Sequence, residues 1–179
     1  MISETKNAIW TVRNRKEKHF LRKKTRAFDF SQYTKKEIDE LILRMKKAMH
    51  LAQGVGLSAN QIGLDVQVFI AETEEENGGK KFYAVFNPKI EKVSKEMTPL
   101  EEGCLSVPEV YGEVLRPSHI TISGSDKHNR PIKLKAWGLL AKIFQHEIDH
   151  LNGVLFIDKA TELHEIPKSE RLKDQKEKA

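Results

Sequence analysis

The chain has 179 residues, 39% of them apolar and 32% charged, with a formal charge of +5 and a pI of about 9.2, which suits one domain with its own hydrophobic core. No apolar run reaches the ~18 residues of a bilayer-spanning helix, Met1–Lys6 lacks the apolar stretch of a secretory signal, and Cys104 has no second cysteine to pair with. A membrane protein and a disulfide scaffold are therefore not expected; a reducing, bacterial-type cytoplasmic setting is, with an organelle as the alternative because Arg13–Arg26 is basic, although it lacks the apolar face of a transit peptide.

Positive charge gathers near the termini, at Arg13-Asn14-Arg15-Lys16 and Arg22-Lys23-Lys24. No aromatic residues interleave these cations as base-stacking surfaces require, so sequence-specific nucleic-acid recognition is not expected. A solvated lysine-rich surface and a sequence-independent contact with RNA both stay open.

Residues 1–33 read as an irregular, basic segment. Thr34-Lys35-Lys36-Glu37 then has the form of a capping box. Ile38, Leu41, Ile42, Met45, Met49 and Ala52 follow at spacings of three and four, which predicts an amphipathic helix ended by Gly54. Strands are predicted over Val66–Ala71, Phe82–Phe86, Ile90–Val93, Ile120–Ser123 and Ile132–Ala136, with turns at Asn77-Gly78-Gly79 and Asp126–Pro131. From Gly138 the period returns to that of a helix, through Leu139, Leu140, Ile143, Phe144 and Ile148. Beyond Ile157 the chain turns polar, and Glu170–Ala179 reads as a frayed helix or a disordered tail. Helix, antiparallel strands and a second helix predict an α+β fold over residues 34–158, flanked by a basic segment over 1–33 and a polar tail over 159–179.

The strongest chemical signal is His146-Glu147-Ile148-Asp149-His150, an H-E-x-x-H sequence. On a helix, positions four apart share a face, so both imidazoles are placed to bind one metal ion, and the intervening glutamate suits a general base. A catalytic metal needs a third protein ligand and an open position. His164 is the one later histidine and lies in polar sequence. Cys104 is the better candidate: Gly103 and Pro108 mark irregular backbone around it, and a thiolate suits Fe(II) or Zn(II). The Gly54-Val55-Gly56-Leu57-Ser58-Ala59-Asn60-Gln61-Ile62-Gly63 loop permits close backbone approach to a ligand. It is not a phosphate loop, because no Lys-Ser/Thr follows the glycines. Gln61 is placed to offer an amide to a developing oxyanion.

Together these segments resemble the signature motifs of the peptide deformylase family: G-φ-G-φ-A-A-x-Q, E-G-C-φ-S and Q-H-E-x-D-H, with φ apolar. Here they read Gly54–Gln61, Glu102–Ser106 and Gln145–His150, and the resemblance extends over residues 34–158. Ser58 stands where alanine is usual, which reads as a mild change. The Pro-Asp-Pro that usually precedes Leu-Arg is absent from Asn14–Arg22, and the region after Asp158 departs from the common helix.

The resemblance implies removal of the N-formyl group from the formylmethionine of newly made polypeptides, by a monomer with weak contact to the ribosome. It implies one divalent ion on Cys104, His146 and His150, Fe(II) or alternatively Zn, Ni or Co, carried by a central helix among antiparallel strands. It further implies that Glu147 activates a metal-bound water and that Gln61 and the Leu105 backbone N–H stabilise the oxyanion. Gly56 would pair with the extended substrate, Val55 and Leu139 would line a methionine pocket, Gln145 and Asp149 would support the ligands, and Glu102 would pair with Arg116. Two rivals use the same residues: a zinc endopeptidase of the H-E-x-x-H type, and a basic RNA- or ribosome-binding module whose metal is structural.

Overall fold

The computed structural model describes residues 8–74 and 78–166. Its elements are α1 (Arg15–Leu21), α2 (Lys35–Leu51), β1 (Gly56–Ser58), β2 (Val68–Glu74), β3 (Lys80–Val93), β4 (Met97–Cys104), β5 (Val107–Pro117), β6 (His119–Ser125), β7 (Pro131–Trp137), α3 (Gly138–Leu151) and β8 (Leu163–Glu165). All the strand pairings are antiparallel and form a five-stranded sheet, β1-β2-β3-β6-β7, and a three-stranded one, β4-β5-β8. The fold is α+β, as expected.

Alternation along β2 organises the core. Val68 and Ile70 face one way and pack with Ile38, Leu41, Met45 and Met49 of α2. Phe69 and Ala71 face the other way and pack with Ala141, Phe144 and Ile148 of α3. The large sheet therefore has a helix on each face, which is why β2 reads as an unbroken apolar run. Fully burying each of these larger side chains contributes about 1.5–3 kcal/mol. Thr34 caps α2 with the expected box, its hydroxyl accepting from the Glu37 N–H while the Glu37 carboxylate accepts from the Thr34 N–H at 2.8 Å. The helix ends differently from expectation: Gln53, at φ 56°, takes the left-handed position, and the Gly54 N–H returns to the Met49 carbonyl at 2.9 Å.

Several other expectations are corrected by long-range pairing. Phe82–Phe86 and Ile90–Val93 are parts of one strand, β3, whose register shifts against β6. Asn77 lies outside the described residues, as does Glu170–Ala179. Gly103 and Pro108 both lie in strands, Gly103 in β4 opposite Tyr111, where an added Cβ would lie 2.5 Å from the tyrosine ring, and Pro108 in β5; the irregularity expected around Cys104 is a register shift between Gly103 and Cys104, the Leu105-Ser106 turn and a positive φ at Glu109. Over residues 8–33 the chain forms α1 and lends Leu21 and Phe28 to the buried interior. After Asp158 it returns as β8, which pairs with β5.

Candidate metal centre

Helix α3 presents two unlike faces. Ala141, Phe144, Ile148 and Leu151 pack against the large sheet. Lys142, His146, Glu147 and His150 are offered toward β1, β4 and the cavity between them. Cys104 arrives from the end of β4, where it pairs with Val107 across the Leu105-Ser106 turn. The ligand atoms of Cys104, His146 and His150 lie within 4.8 Å of one another, with Cys104 Sγ 3.0 Å from His150 Nε2. One thiol and two imidazoles so placed form a donor set suited to a transition-metal dication. The other candidate, His164, lies apart, with Nε2 3.2 Å from Glu101 Oε2 and its ring stacked on Tyr111.

The electrostatics fit such a role. Burial by itself would push the Cys104 thiol up, but the facing imidazoles of His150 and His146 outweigh it and hold the thiol well below its ordinary range. His146 is pushed the other way: burial disfavours its charge, and Cys104 and Glu102 more than compensate. Glu102 is held down to about 2 despite burial, by Arg116 and His146. Its Oε2 accepts from Arg116 Nη2 at 2.9 Å and lies 2.9 Å from His146 Nδ1, which leaves Nε2 of that ring for a ligand. The expected Glu102–Arg116 pair is thus present, and Asp149 joins it through Arg116 Nη1 at 2.8 Å. Gln145 does not reach the ligands; its amide donates to the Pro117 and Ala141 carbonyls.

Glu147 is buried at the same place, and burial raises its proton affinity while His146, His150 and Ser58 pull it down. The Ser58 hydroxyl lies 2.7 Å from the Glu147 carboxylate and 2.8 Å from its backbone carbonyl. Sequence reasoning missed this contact; the only signal for it was that serine replaces the usual alanine. Two more contacts went unforeseen: Asn60 Nδ2 donates to the His150 carbonyl at 2.7 Å, and the buried Ser106 hydroxyl accepts from Gln61 Nε2 at 3.1 Å. The same Gln61 nitrogen lies 3.7 Å from Cys104 Sγ, and its Oε1 accepts from the Ser58 N–H, so the amide is fixed facing the cluster.

A cavity of about 610 Å³ opens onto these groups; Val55, Gly56, Leu105 and Leu139 line it beside Gln61, Cys104, His146 and Glu147. A side chain at Gly56 would displace the Glu147 carboxylate, because a Cβ there would fall 2.4 Å from Glu147 Oε1. All nine residues expected at the site are therefore brought to one cavity or to the cluster beneath it. A three-donor cluster, a buried carboxylate and an open cavity are the equipment of a metal-dependent hydrolase.

Comparison with known proteins gives a narrower class. The family model "Polypeptide deformylase" matches residues 10–165. A peptide deformylase of Picosynechococcus sp. is 41% identical over 137 residues, covering 76% of this chain and 72% of that protein. One from Prochlorococcus marinus is 45% identical over 125 residues, covering 70% of this chain and 62% of that protein. The crystal structure of a peptide deformylase from Synechococcus elongatus, in complex with actinonin, superposes with a TM-score of 0.76 at 36% identity, covering 85% of this chain and 79% of that one. The chain belongs to the polypeptide deformylase family, and so to the hydrolases that act on amides.

Proposed function

We propose that this protein removes the N-formyl group from the N-terminal formylmethionine of newly made polypeptides, using chemistry carried on the central helix α3. The observation that carries this reading is the convergence of Cys104, His146 and His150 within 4.8 Å, beside the buried Glu147 and at the base of an open cavity. In this reading the three residues hold one divalent cation, Fe(II) as the native ion with Zn, Ni or Co as substitutes. Such an ion supplies Lewis acidity and makes water nucleophilic at neutral pH.

The remaining steps belong to the chain's own groups. Glu147 takes the proton of the attacking water and delivers it to the departing amine. Gln61 and the Leu105 backbone N–H stabilise the charge that develops on the formyl oxygen. Because β1 is an edge strand, Gly56 offers its open side to an extended peptide, in the manner of strand addition. Val55 and Leu139, both more than half exposed at the cavity, receive the methionine side chain and are covered when substrate binds. Newly made formylated chains are the partners, met by a monomer in a bacterial-type cytosol or an organelle that initiates translation the same way.

The test is turnover of a short formylmethionyl peptide by anaerobically purified, metal-loaded protein. Glu147→Ala should retain the metal by elemental analysis and lose turnover by a factor on the order of 10²–10⁴. Full activity in that metal-loaded variant would remove the general-base assignment. Casein cleavage with the formyl peptide left intact would replace the deformylase reading with the endopeptidase one.

A further inference from the structure

The basic residues near the N-terminus take no part in the chemistry above. Residues 13–26 contain eight Arg and Lys side chains against one carboxylate, Glu17, and so carry +7 in a chain whose total is +5; the other 165 residues sum to −2. The positive excess of the protein is therefore concentrated in one stretch and is not a general lysine coat.

Folding makes that stretch a surface. In α1 the inward positions follow helical spacing: Leu21 is buried, Phe20 meets Trp10 edge-on at 4.9 Å, and Glu17 accepts from the Thr11 N–H at 2.7 Å. Arg15, Lys18 and His19 fall on the opposite, exposed face; Lys16 flanks it, and Lys23 and Lys24 extend it past the helix end. Three cations of the stretch are already paired, Arg13 with Glu109, Arg22 with Asp158 and Arg26 with Asp65. Among the described residues, Arg15, Lys16, Lys18, Lys23 and Lys24 have no carboxylate within ion-pair distance. Like charges three and four residues apart weaken a helix unless an anion lies across them. Arg13 also lines the wall of the catalytic cavity, so the array begins at the cavity mouth.

We propose that α1 and the Lys23-Lys24 turn form a docking surface for the phosphate backbone of RNA, bound without regard to sequence. Exposed Arg and Lys of one sign are what phosphate contacts require, and no Phe, Tyr or Trp stands on the outward face to stack a base. An anionic membrane is disfavoured because an interfacial helix needs an apolar face turned outward, and Phe20 and Leu21 are turned inward. An acidic protein partner is disfavoured because protein interfaces centre on aromatic and apolar anchors and are depleted in lysine.

The test uses the full chain, a fluorescein-labelled RNA hairpin and two charge-matched variants. One is K16Q/K18Q/K23Q; the other is K92Q/K133Q/K135Q, whose lysines are exposed on the outer face of β3 and β7. Fluorescence anisotropy should show RNA affinity falling about tenfold or more in the first variant and little in the second. Each lost phosphate contact should lower the slope of log affinity against log salt by about 0.7–0.9. Circular dichroism should show both variants folded. Equal loss in the two variants would reduce the effect to net charge and overturn the proposal. So would binding to poly-glutamate, or to phosphatidylcholine vesicles carrying phosphatidylserine, as tight as binding to RNA.

Discussion

The five-stranded sheet buries Val68, Ile70 and Phe86 against α2 and Phe69, Val85 and Ile122 against α3, whereas the three-stranded sheet packs a smaller cluster among the described residues, in which Val107 and Val114 of β5 meet Leu155 and Phe156 from the segment after α3. What holds the small sheet to α3 is polar. Arg116 spans Glu102 and Asp149, Glu102 meets His146, Lys142 Nζ donates to the Pro99 carbonyl at 3.0 Å, and Gln145 donates to the Pro117 carbonyl at 3.0 Å. The candidate ligands straddle this divide: the histidines ride on a helix fixed by apolar packing, and Cys104 ends a strand of the polar half. Hydrophobic burial is insensitive to which side chains meet in detail, while a ligand triangle demands direction. The polar seam supplies that direction.

The largest test of this contrast sets Arg116→Met against Phe69→Ala. Each should cost about 3–5 kcal/mol in urea unfolding, the first by depriving the buried Glu102 carboxylate of its arginine, while Asp149 keeps Lys159, and the second by opening a core cavity. Only Arg116→Met should also lower metal content, since only it frees the carboxylate that orients His146. Equal metal loss in Phe69→Ala would break the division. A smaller, more local effect is expected on removing the ion by chelation or through Cys104→Ser. Amide exchange should accelerate in β4 and β5 and stay unchanged in β2 and β6. Metal content unaltered in Cys104→Ser would place the third ligand elsewhere. Smallest is Ser58→Ala, which should lower turnover by less than about tenfold at constant metal content, the worth of one hydrogen bond of about 1 kcal/mol. An undiminished rate would show that packing alone fixes the Glu147 carboxylate.

Legibility follows the same divide. The α2 stripe of Ile38, Leu41, Met45 and Met49, the α3 stripe and the β6–β7 hairpin around Asp126 could be read directly, because each is a local pattern that one buried face imposes. Strands β4 and β5 could not. Pro99, Glu101 and Gly103 in the first and Pro108, Glu109 and Gly112 in the second give no apolar alternation, because much of this sheet stays exposed. β8 was unreadable for the same reason: all three of its residues are exposed, and pairing with β5 alone makes it a strand.

By itself, the sequence determined the helical pair His146 and His150 with Glu147 between, since i and i+4 on a helix share a face wherever the helix lies. Cys104 was a candidate by residue type and by the resemblance of its neighbours, and the sequence left its partners undetermined. Tertiary structure decided that it meets those imidazoles and not His164, that Gln61 is held facing the cluster through Ser58 and Ser106, and that the Ser58 hydroxyl lies on the carboxylate of Glu147. The reason is reach. Helical periodicity acts over a few residues, whereas the pairing of β4 with β5 and the packing of α3 on the large sheet join positions that no local pattern connects.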